Sequence, residues 1–368
     1  MKILFTYLVA FSGHGGIQKF NKCFIQALYE LSLTGKFSFK VASLYDEKTD
    51  ETYLPKENFI SFHSRTLLIV LAAIFRFTKY NIVILGHINM SILGVLIKFF
   101  SPKTKVILVT HGIEVWCPLT FWGKRLLKKA DGILAVSQYT KEQLMERHGV
   151  NETLVKVFHN TIDPHFIFPE KFEKPLDLYK RYKLNADDKI IFTVARMAST
   201  EKYKGYDKVI EAIGLLKDPK IKYLMGGKCN DEEAQRILTI ATEAGVRENI
   251  QLLGYIKDEE LTQHYLMSDL FVMPSKKEGF GIVFIEAMAC GLHVIAGNKD
   301  GSVDALKNGE LGILIDPDSV EEIALAIRTT LEQKINKSSK ESLQQTVVTS
   351  FGFEKYKQNL AAIISTYN

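Results

Sequence analysis

Residues 269–295 read DLFVMPSKKEGFGIVFIEAMACGLHVI. The run Leu270 to Met273 is short, apolar and stopped by Pro274, which predicts a buried strand. A loop of Pro, Ser, Lys and Gly follows. A helix is expected to open near Gly281 and to stop at Gly291, ahead of a second strand. Gly279 and Gly281 let the backbone approach a ligand closely, and the helix N-terminus beyond them offers free N–H groups and a positive dipole end, which suits a phosphate. Two carboxylates stand eight residues apart in this setting, Glu278 in the loop and Glu286 in the helix. The helical carboxylate can accept from ribose hydroxyls while the backbone holds phosphates; Glu278 then faces whatever the nucleotide carries.

Working outward, the chain of 368 residues suits two domains, each able to bury a core. Apolar residues at 46% and charged residues at 24% exclude a disordered or fibrous class. Cys23, Cys117, Cys229 and Cys290 lie far apart, which suggests reduced thiols in a cytoplasmic protein rather than a disulfide frame or a zinc site. The opening MKILFTYLVAF resembles a signal-peptide start but runs into Ser12-Gly-His-Gly-Gly16 without a small-residue cleavage site, so a first strand is expected. No run of eighteen apolar residues predicts a spanning helix. Residues 1–165 hold 20 Lys and Arg against 12 Asp and Glu, an excess of eight, whereas the remainder holds 27 against 30. A basic first half fits contact with anionic lipid or a phosphate-bearing acceptor, and fits a merely solvated surface equally.

Ile3 to Val9 reads as a strand, followed by a glycine-containing loop and an amphipathic helix, Ile17 to Leu31. This is the first βα turn of a doubly wound sheet, without the G-x-G-x-x-G of a dinucleotide site. Strands are expected at Phe37 to Leu44, Asn58 to Ser61, Asn81 to Leu85, Lys105 to Val109, Gly132 to Val136 and Val155 to Phe158. Helices are expected at 65–80, Ile92 to Phe100 and Thr140 to His148, the last capped by Ser137. The first two are apolar with flanking cations; packing on the sheet and a membrane-surface role both suit them. Residues 166–185 lack periodicity and read as a linker.

The second half opens with a strand, Lys189 to Ala195, and then Arg196, Lys204 and Gly205 ahead of a helix, Asp207 to Leu216. Arg supplies a bidentate fork and Lys a point charge, a pair that can bracket a diphosphate, with Lys202 as a substitute. Further strands are expected at Ile221 to Met225, Ile250 to Leu253 and within Gly309 to Asp316. Helices are expected at 258–268, Val320 to Lys334 and Phe351 to Tyr367.

The longer pattern E-G-F-G-x-x-x-x-E-A-M-A-C-G at 278–291 resembles the signature of retaining, nucleotide-sugar-dependent glycosyltransferases of family 4. The runs H-G-x-E-x-W at 111–116 and Arg196 to Gly205 are similar to that family as well. The resemblance implies an α/β architecture of two Rossmann-like doubly wound domains facing a cleft, called GT-B. An acceptor-binding domain would span 1–165, a donor-binding domain 166–350, and a C-terminal helix at 351–368 would cross back onto the first domain. It implies His111, Arg196, Lys204 and Glu278 as catalytic residues. Donor contacts would come from Gly15, Gly16, Arg196, Lys204, Gly279, Phe280, Gly281, Ile282 and Glu286, and weaker acceptor contacts from Glu114 and Trp116. Asp300-Gly-Ser-Val-Asp304 departs from the Gly-x-x-Glu often found there, so Asp304 receives no role. With no D-x-D element, no metal and no cofactor is expected. The partners implied are a nucleoside-diphosphate sugar and a saccharide or lipid-linked acceptor, with peripheral membrane contact through the basic half and no nucleic acid. The resemblance to a subset of the family implies bacterial surface-polysaccharide synthesis in the cytoplasm or at its membrane face. A noncatalytic sugar-nucleotide-binding subunit and a GT-B epimerase are the alternatives.

Overall fold

The computed structural model describes residues 1–332 and 337–367. It divides into two compact units: residues Met1–Pro164 with Phe351–Asn368, and residues His165–Ser350.

The first unit is built on seven strands: β1 (Lys2–Tyr7), β2 (Ser38–Ser43), β3 (Phe59–Ser61), β4 (Ile82–Leu85), β5 (Lys105–Thr110), β6 (Gly132–Ala135) and β7 (Val155–Val157). All pair in parallel in the order β3-β2-β1-β4-β5-β6-β7. β4 and β6 are buried at every position. That is why they read as unbroken apolar runs rather than alternating ones. The helix Phe353–Ser365 belongs to this unit. Its Tyr356 ring lies 4.5 Å from that of Phe158, and Lys357 Nζ reaches Glu30 Oε2 at 2.7 Å on the helix Gly16–Ser32.

The second unit carries β8 (Lys189–Val194), β9 (Ile221–Gly226), β10 (Ile250–Gly254), β11 (Leu270–Met273), β12 (Val294–Gly297) and β13 (Ile313–Ile315). They pair in parallel in the order β10-β9-β8-β11-β12-β13. Both sheets are therefore Rossmann-like. Each reverses its winding once, between β1 and β4 in the first unit and between β8 and β11 in the second. Ligands of doubly wound sheets bind outside the strand ends at such reversals. The loops after β1, β4, β8 and β11 are the ones so placed, and they hold the Gly15-Gly16 pair, Arg196 and Glu278.

Several expectations need correction. The supposed linker contains a helix, Leu176–Arg181, whose Leu178 and Tyr179 are buried. The helices Asp231–Glu243 and Lys337–Phe351 were not anticipated, and the helix expected over 65–80 stops at Phe75 before a short 3-10 turn. The helix expected over Val320 to Lys334 is seen as Val320–Glu332; its last two positions, and residue 368 of the terminal segment, lie outside the described residues. No helix among the described residues is long and apolar enough to cross a membrane.

Candidate active site

In the second unit, β8 delivers Arg196 and a following turn delivers Lys204. Arg196 is mostly exposed at 70%, and its Nε donates to Glu201 Oε1 at 2.7 Å. Glu201 is buried and also accepts from the Tyr203 hydroxyl at 3.0 Å, so it parks the guanidinium beside the strand end. Lys204 forms an ion pair with Glu278, both side chains being largely shielded at 16% and 14% exposure. Gly205 lies at φ 75°, and a Cβ there would stand 2.4 Å from the Pro274 carbonyl oxygen, so only glycine lets the two loops close up. Lys276 N–H donates to the Tyr203 carbonyl at 2.9 Å and joins the same loops through their backbones.

Glu278 is held from both sides of its peptide. Its N–H donates to Asp300 Oδ2 at 2.6 Å, and its carbonyl accepts from Gly301 N–H at 2.8 Å. Asp300, after β12, is fully buried and also accepts from Ser302 N–H at 2.9 Å. Burial first, and then the charge of Glu278, push its carboxyl up to about 7, against the pull of those N–H bonds. Gly281 takes φ 89° and starts the helix Ile282–Ala289 without a side-chain cap. The N-terminus of that helix is thus left to the backbone, as the phosphate reading requires. Phe280 is 1% exposed and Glu286 wholly buried, with Glu286 Oε2 accepting from the Tyr265 hydroxyl at 3.2 Å. Phe280 thus packs, and Glu286 sits beneath the site's surface in this state.

In the first unit, the loop bearing Gly15 and Gly16 is anchored by Asp46, a buried residue the sequence reading passed over. Its carboxylate accepts from Ala10 N–H at 2.7 Å, Ser12 N–H at 2.9 Å and Ser12 Oγ at 2.6 Å. His111 follows β5, its ring 4.8 Å from that of Phe20. Its Nε2 lies 2.8 Å from the Gly86 carbonyl, which can only accept, so Nε2 carries the proton. Burial lowers the imidazole to about 4, so it is neutral near pH 7. That N–H is therefore committed to Gly86, which leaves Nδ1 of the candidate catalytic imidazole as an acceptor. Glu114 Oε1 accepts from His111 N–H at 2.5 Å, and burial raises its carboxyl. His87, after β4, lies 6.1 Å from the His111 ring and is lowered by burial too. Trp116 is 8% exposed and packs edge-on against Tyr139 at 5.1 Å, so its ring belongs to the core rather than to an open acceptor surface.

The second unit thus gathers Arg196, Lys204, Glu278 and an uncapped helix start at one sheet edge; the first gathers Gly15, Gly16, His111 and Glu114 at another. Asp46, Glu201 and Asp300 are the carboxylates that fix these loops. Their partners are mostly backbone N–H groups or an arginine at no regular spacing, so the sequence held no pattern to mark them. Among the described residues no cluster of His, Cys, Asp and Glu is arranged to hold a metal.

Residues 177–346 match the family model described as glycosyl transferases group 1, and residues 44–166 match glycosyltransferase family 4. A GDP-mannose-dependent alpha-(1-6)-phosphatidylinositol monomannoside mannosyltransferase of Mycobacterium tuberculosis is 28% identical over 245 residues, covering 63% of this chain and 61% of that protein. The mannosylfructose-phosphate synthase of Agrobacterium fabrum is 25% identical over 55% of this chain and 45% of that one. The matched region therefore spans less than two thirds of these curated relatives. In fold, the chain is similar to Anabaena HepE in complex with UDP and glucose, at TM-score 0.78 and 20% identity with both chains covered in full. It is also similar to the lipopolysaccharide outer core galactosyltransferase WaaB, at TM-score 0.76 and 18% identity with both covered in full. With the two family models matching successive stretches over most of its length, the chain belongs to the glycosyltransferases of group 1 and family 4.

Proposed function

We propose that this protein is a retaining glycosyltransferase that moves a hexose from a nucleoside diphosphate to a saccharide or lipid-linked saccharide. The setting would be the building of bacterial surface polysaccharide at the cytoplasmic face of a membrane. The observation that carries the reading is the Lys204–Glu278 ion pair beside Arg196 and the uncapped helix at Gly281. A donor diphosphate entering there would draw Lys204 off Glu278 and Arg196 off Glu201, trading two internal pairs for phosphate contacts. The freed Glu278 would position the sugar, and Glu286, once Tyr265 yields, would accept from the ribose. The names of the relatives, a GDP-mannose-dependent enzyme among them, and the UDP bound by a structural neighbour support a nucleotide-sugar donor.

In the reaction, the bond from the anomeric carbon to the diphosphate oxygen breaks as the bond to the acceptor oxygen forms. The acceptor hydroxyl approaches on the leaving group's own face, and its proton ends on the departing diphosphate. Arg196, Lys204 and the helix N–H groups stabilise the charge developing on that diphosphate. These cations supply what a divalent metal would otherwise provide, so turnover is expected to proceed in a chelator. The first unit, with His111 and Glu114, would take the acceptor side.

The test is release of nucleoside diphosphate from UDP-, GDP-, ADP- and dTDP-sugars, with and without lipid-linked saccharide acceptors. Release from one donor, raised by one acceptor and lost in Lys204→Ala and Glu278→Gln, is expected. Tight donor binding without turnover under any acceptor would point instead to a binding subunit, and free sugar-nucleotide interconversion to an epimerase.

A further inference from the structure

Between Arg65 and Lys129 the chain carries ten Lys and Arg and a single acid, Glu114. Lys98 and Lys105 pair with Asp131 at 3.0 and 3.2 Å. The other eight side chains are exposed, and none makes an ion pair among the described residues. A stretch with so many exposed cations and a single acid is unusual, because exposed charges of both signs normally intersperse.

The apolar residues in the same stretch are also left open. The helix Thr66–Phe75 is apolar in all but its first residue, yet buries only Ile69, Ala72 and Ala73. Leu67, Leu71 and Phe75 recur every four residues on the opposite side and are 71%, 41% and 67% exposed. A helix that is hydrophobic all round is normally enclosed; this one is covered on one side only. The helix Ser91–Phe100 packs beside it, and the helix Phe121–Leu127 packs beside that. The second ends in Phe99 and Phe100, 73% and 51% exposed, and the third begins with Phe121 and Trp122, 66% and 39% exposed. Within each pair the rings meet edge-on, with centroids 5.0 and 5.3 Å apart, instead of sinking into the core. Arg125 lies over the Phe121 ring at 5.9 Å. Beside the third helix opens a cavity of about 440 Å³ lined by Lys124, Lys128, Arg147 and His148, with no carboxylate.

We propose that this three-helix face of the first unit docks onto an anionic lipid bilayer. The leucines and aromatic rings would enter the boundary between headgroups and acyl chains. The eight cations that lack an ion-pair partner among the described residues would meet lipid phosphates, and the cavity at Lys124 and Lys128 has the charge and room for one headgroup phosphate. The choice of a bilayer over a protein partner rests on charge complementarity. A lipid surface offers apolar depth and uniform negative charge together, which matches apolar rows flanked by cations of one sign. Docking deepens the lipid-linked acceptor reading, since a docked enzyme would meet its acceptor in the plane of the membrane. Its test needs neither donor nor acceptor, so the two readings can fail separately.

The experiment is co-sedimentation of the full chain with vesicles of phosphatidylcholine alone or with added phosphatidylglycerol, at low and high salt. Two variants accompany the wild type: Lys124→Glu/Lys128→Glu/Lys129→Glu, and Phe99→Ser/Phe100→Ser. Their fold is checked by thermal melting and by donor binding, which the second unit should retain. Binding to the anionic vesicles, released by salt, is expected to weaken roughly fivefold or more for each cation withdrawn. The aromatic variant should lose binding to the same vesicles while keeping its melting temperature. No binding, equal binding to neutral and anionic vesicles, or binding that both folded variants retain would overturn the proposal. So would a stable dimer of the purified protein that the Phe99→Ser/Phe100→Ser variant abolishes.

Discussion

At the scale of single residues, the candidate site is a set of charges held in reserve. Lys204 and Glu278 satisfy each other, and both are shielded enough that losing one leaves the other poorly solvated. Lys204→Ala should therefore cost activity and some stability together, whereas Lys204→Arg should keep stability and still lose turnover, because the planar fork does not fit a point-charge site. Nucleoside-diphosphate release and urea unfolding on the same samples would show it. Asp300 makes a second case. Its folded carboxyl lies near 7 against an ordinary 3.8, so the folded state keeps a proton that the unfolded chain gives up. The stability this represents is present below the unfolded value and is lost as pH rises through the folded one, by up to roughly 4 kcal/mol. Asp300→Asn removes that loss, so its stability relative to wild type should improve as pH rises from about 4 to about 7. It should also slow turnover, because an amide presents one accepting oxygen where Glu278 N–H and Ser302 N–H both seek one. A stability difference that stays flat with pH would contradict this account of Asp300.

At the scale of elements, the legible parts were those whose period and punctuation agreed. β11, the helix Ile282–Ala289 and the stop at Gly291 fall where the run at 269–295 sets them, because Pro, paired Gly and continuous apolar residues all speak together. The helix Asp231–Glu243 went unread although Asn230 caps it and three acids fill its first turn. Its buried seam is only Glu233, Ile237 and Ala241, too thin to stand out as a periodic apolar face. The helix Leu176–Arg181 is shorter still and is docked by Leu178 and Tyr179 through tertiary contact, which local sequence cannot show. In the site, the glycines and the cations could be found because their residue types carry the chemistry. His111's committed N–H and the burial of Trp116 could not, since both depend on what lies across the fold. Gly281→Ala probes the helix start. At φ 89° a Cβ would meet the Phe284 ring at 2.3 Å, so a loss of about 1–3 kcal/mol is expected by urea denaturation. A neutral result would show that the helix opening tolerates another backbone path.

At the scale of the whole molecule, each unit has its own parallel sheet and its own buried cluster. The terminal helix Phe353–Ser365 is counted in the first, where Tyr356 and Leu360 are buried. Cutting the chain before Phe353 should unmask Phe20 and Phe158 and loosen the first unit. Amide exchange should then rise across β1, β6 and β7 while β8 to β13 keep their protection; a uniform rise over both sheets would contradict two separately cored units. The family membership follows from the chain's length-wide matches, whereas the identity of sugar, base and acceptor rests on side chains that only a ligand would draw into place.

The central claim is that the second unit binds a nucleotide sugar through Arg196, Lys204 and the helix start at Gly281, and one measurement reaches it directly. Calorimetric titration of UDP-, GDP-, ADP- and dTDP-sugars into wild type and Lys204→Ala would give affinity without depending on the acceptor. One donor should bind, and the variant should bind it about 10- to 100-fold more weakly, the worth of a charge-assisted contact to phosphate. If no donor binds, or if the variant binds as tightly as wild type, the site has been read wrongly.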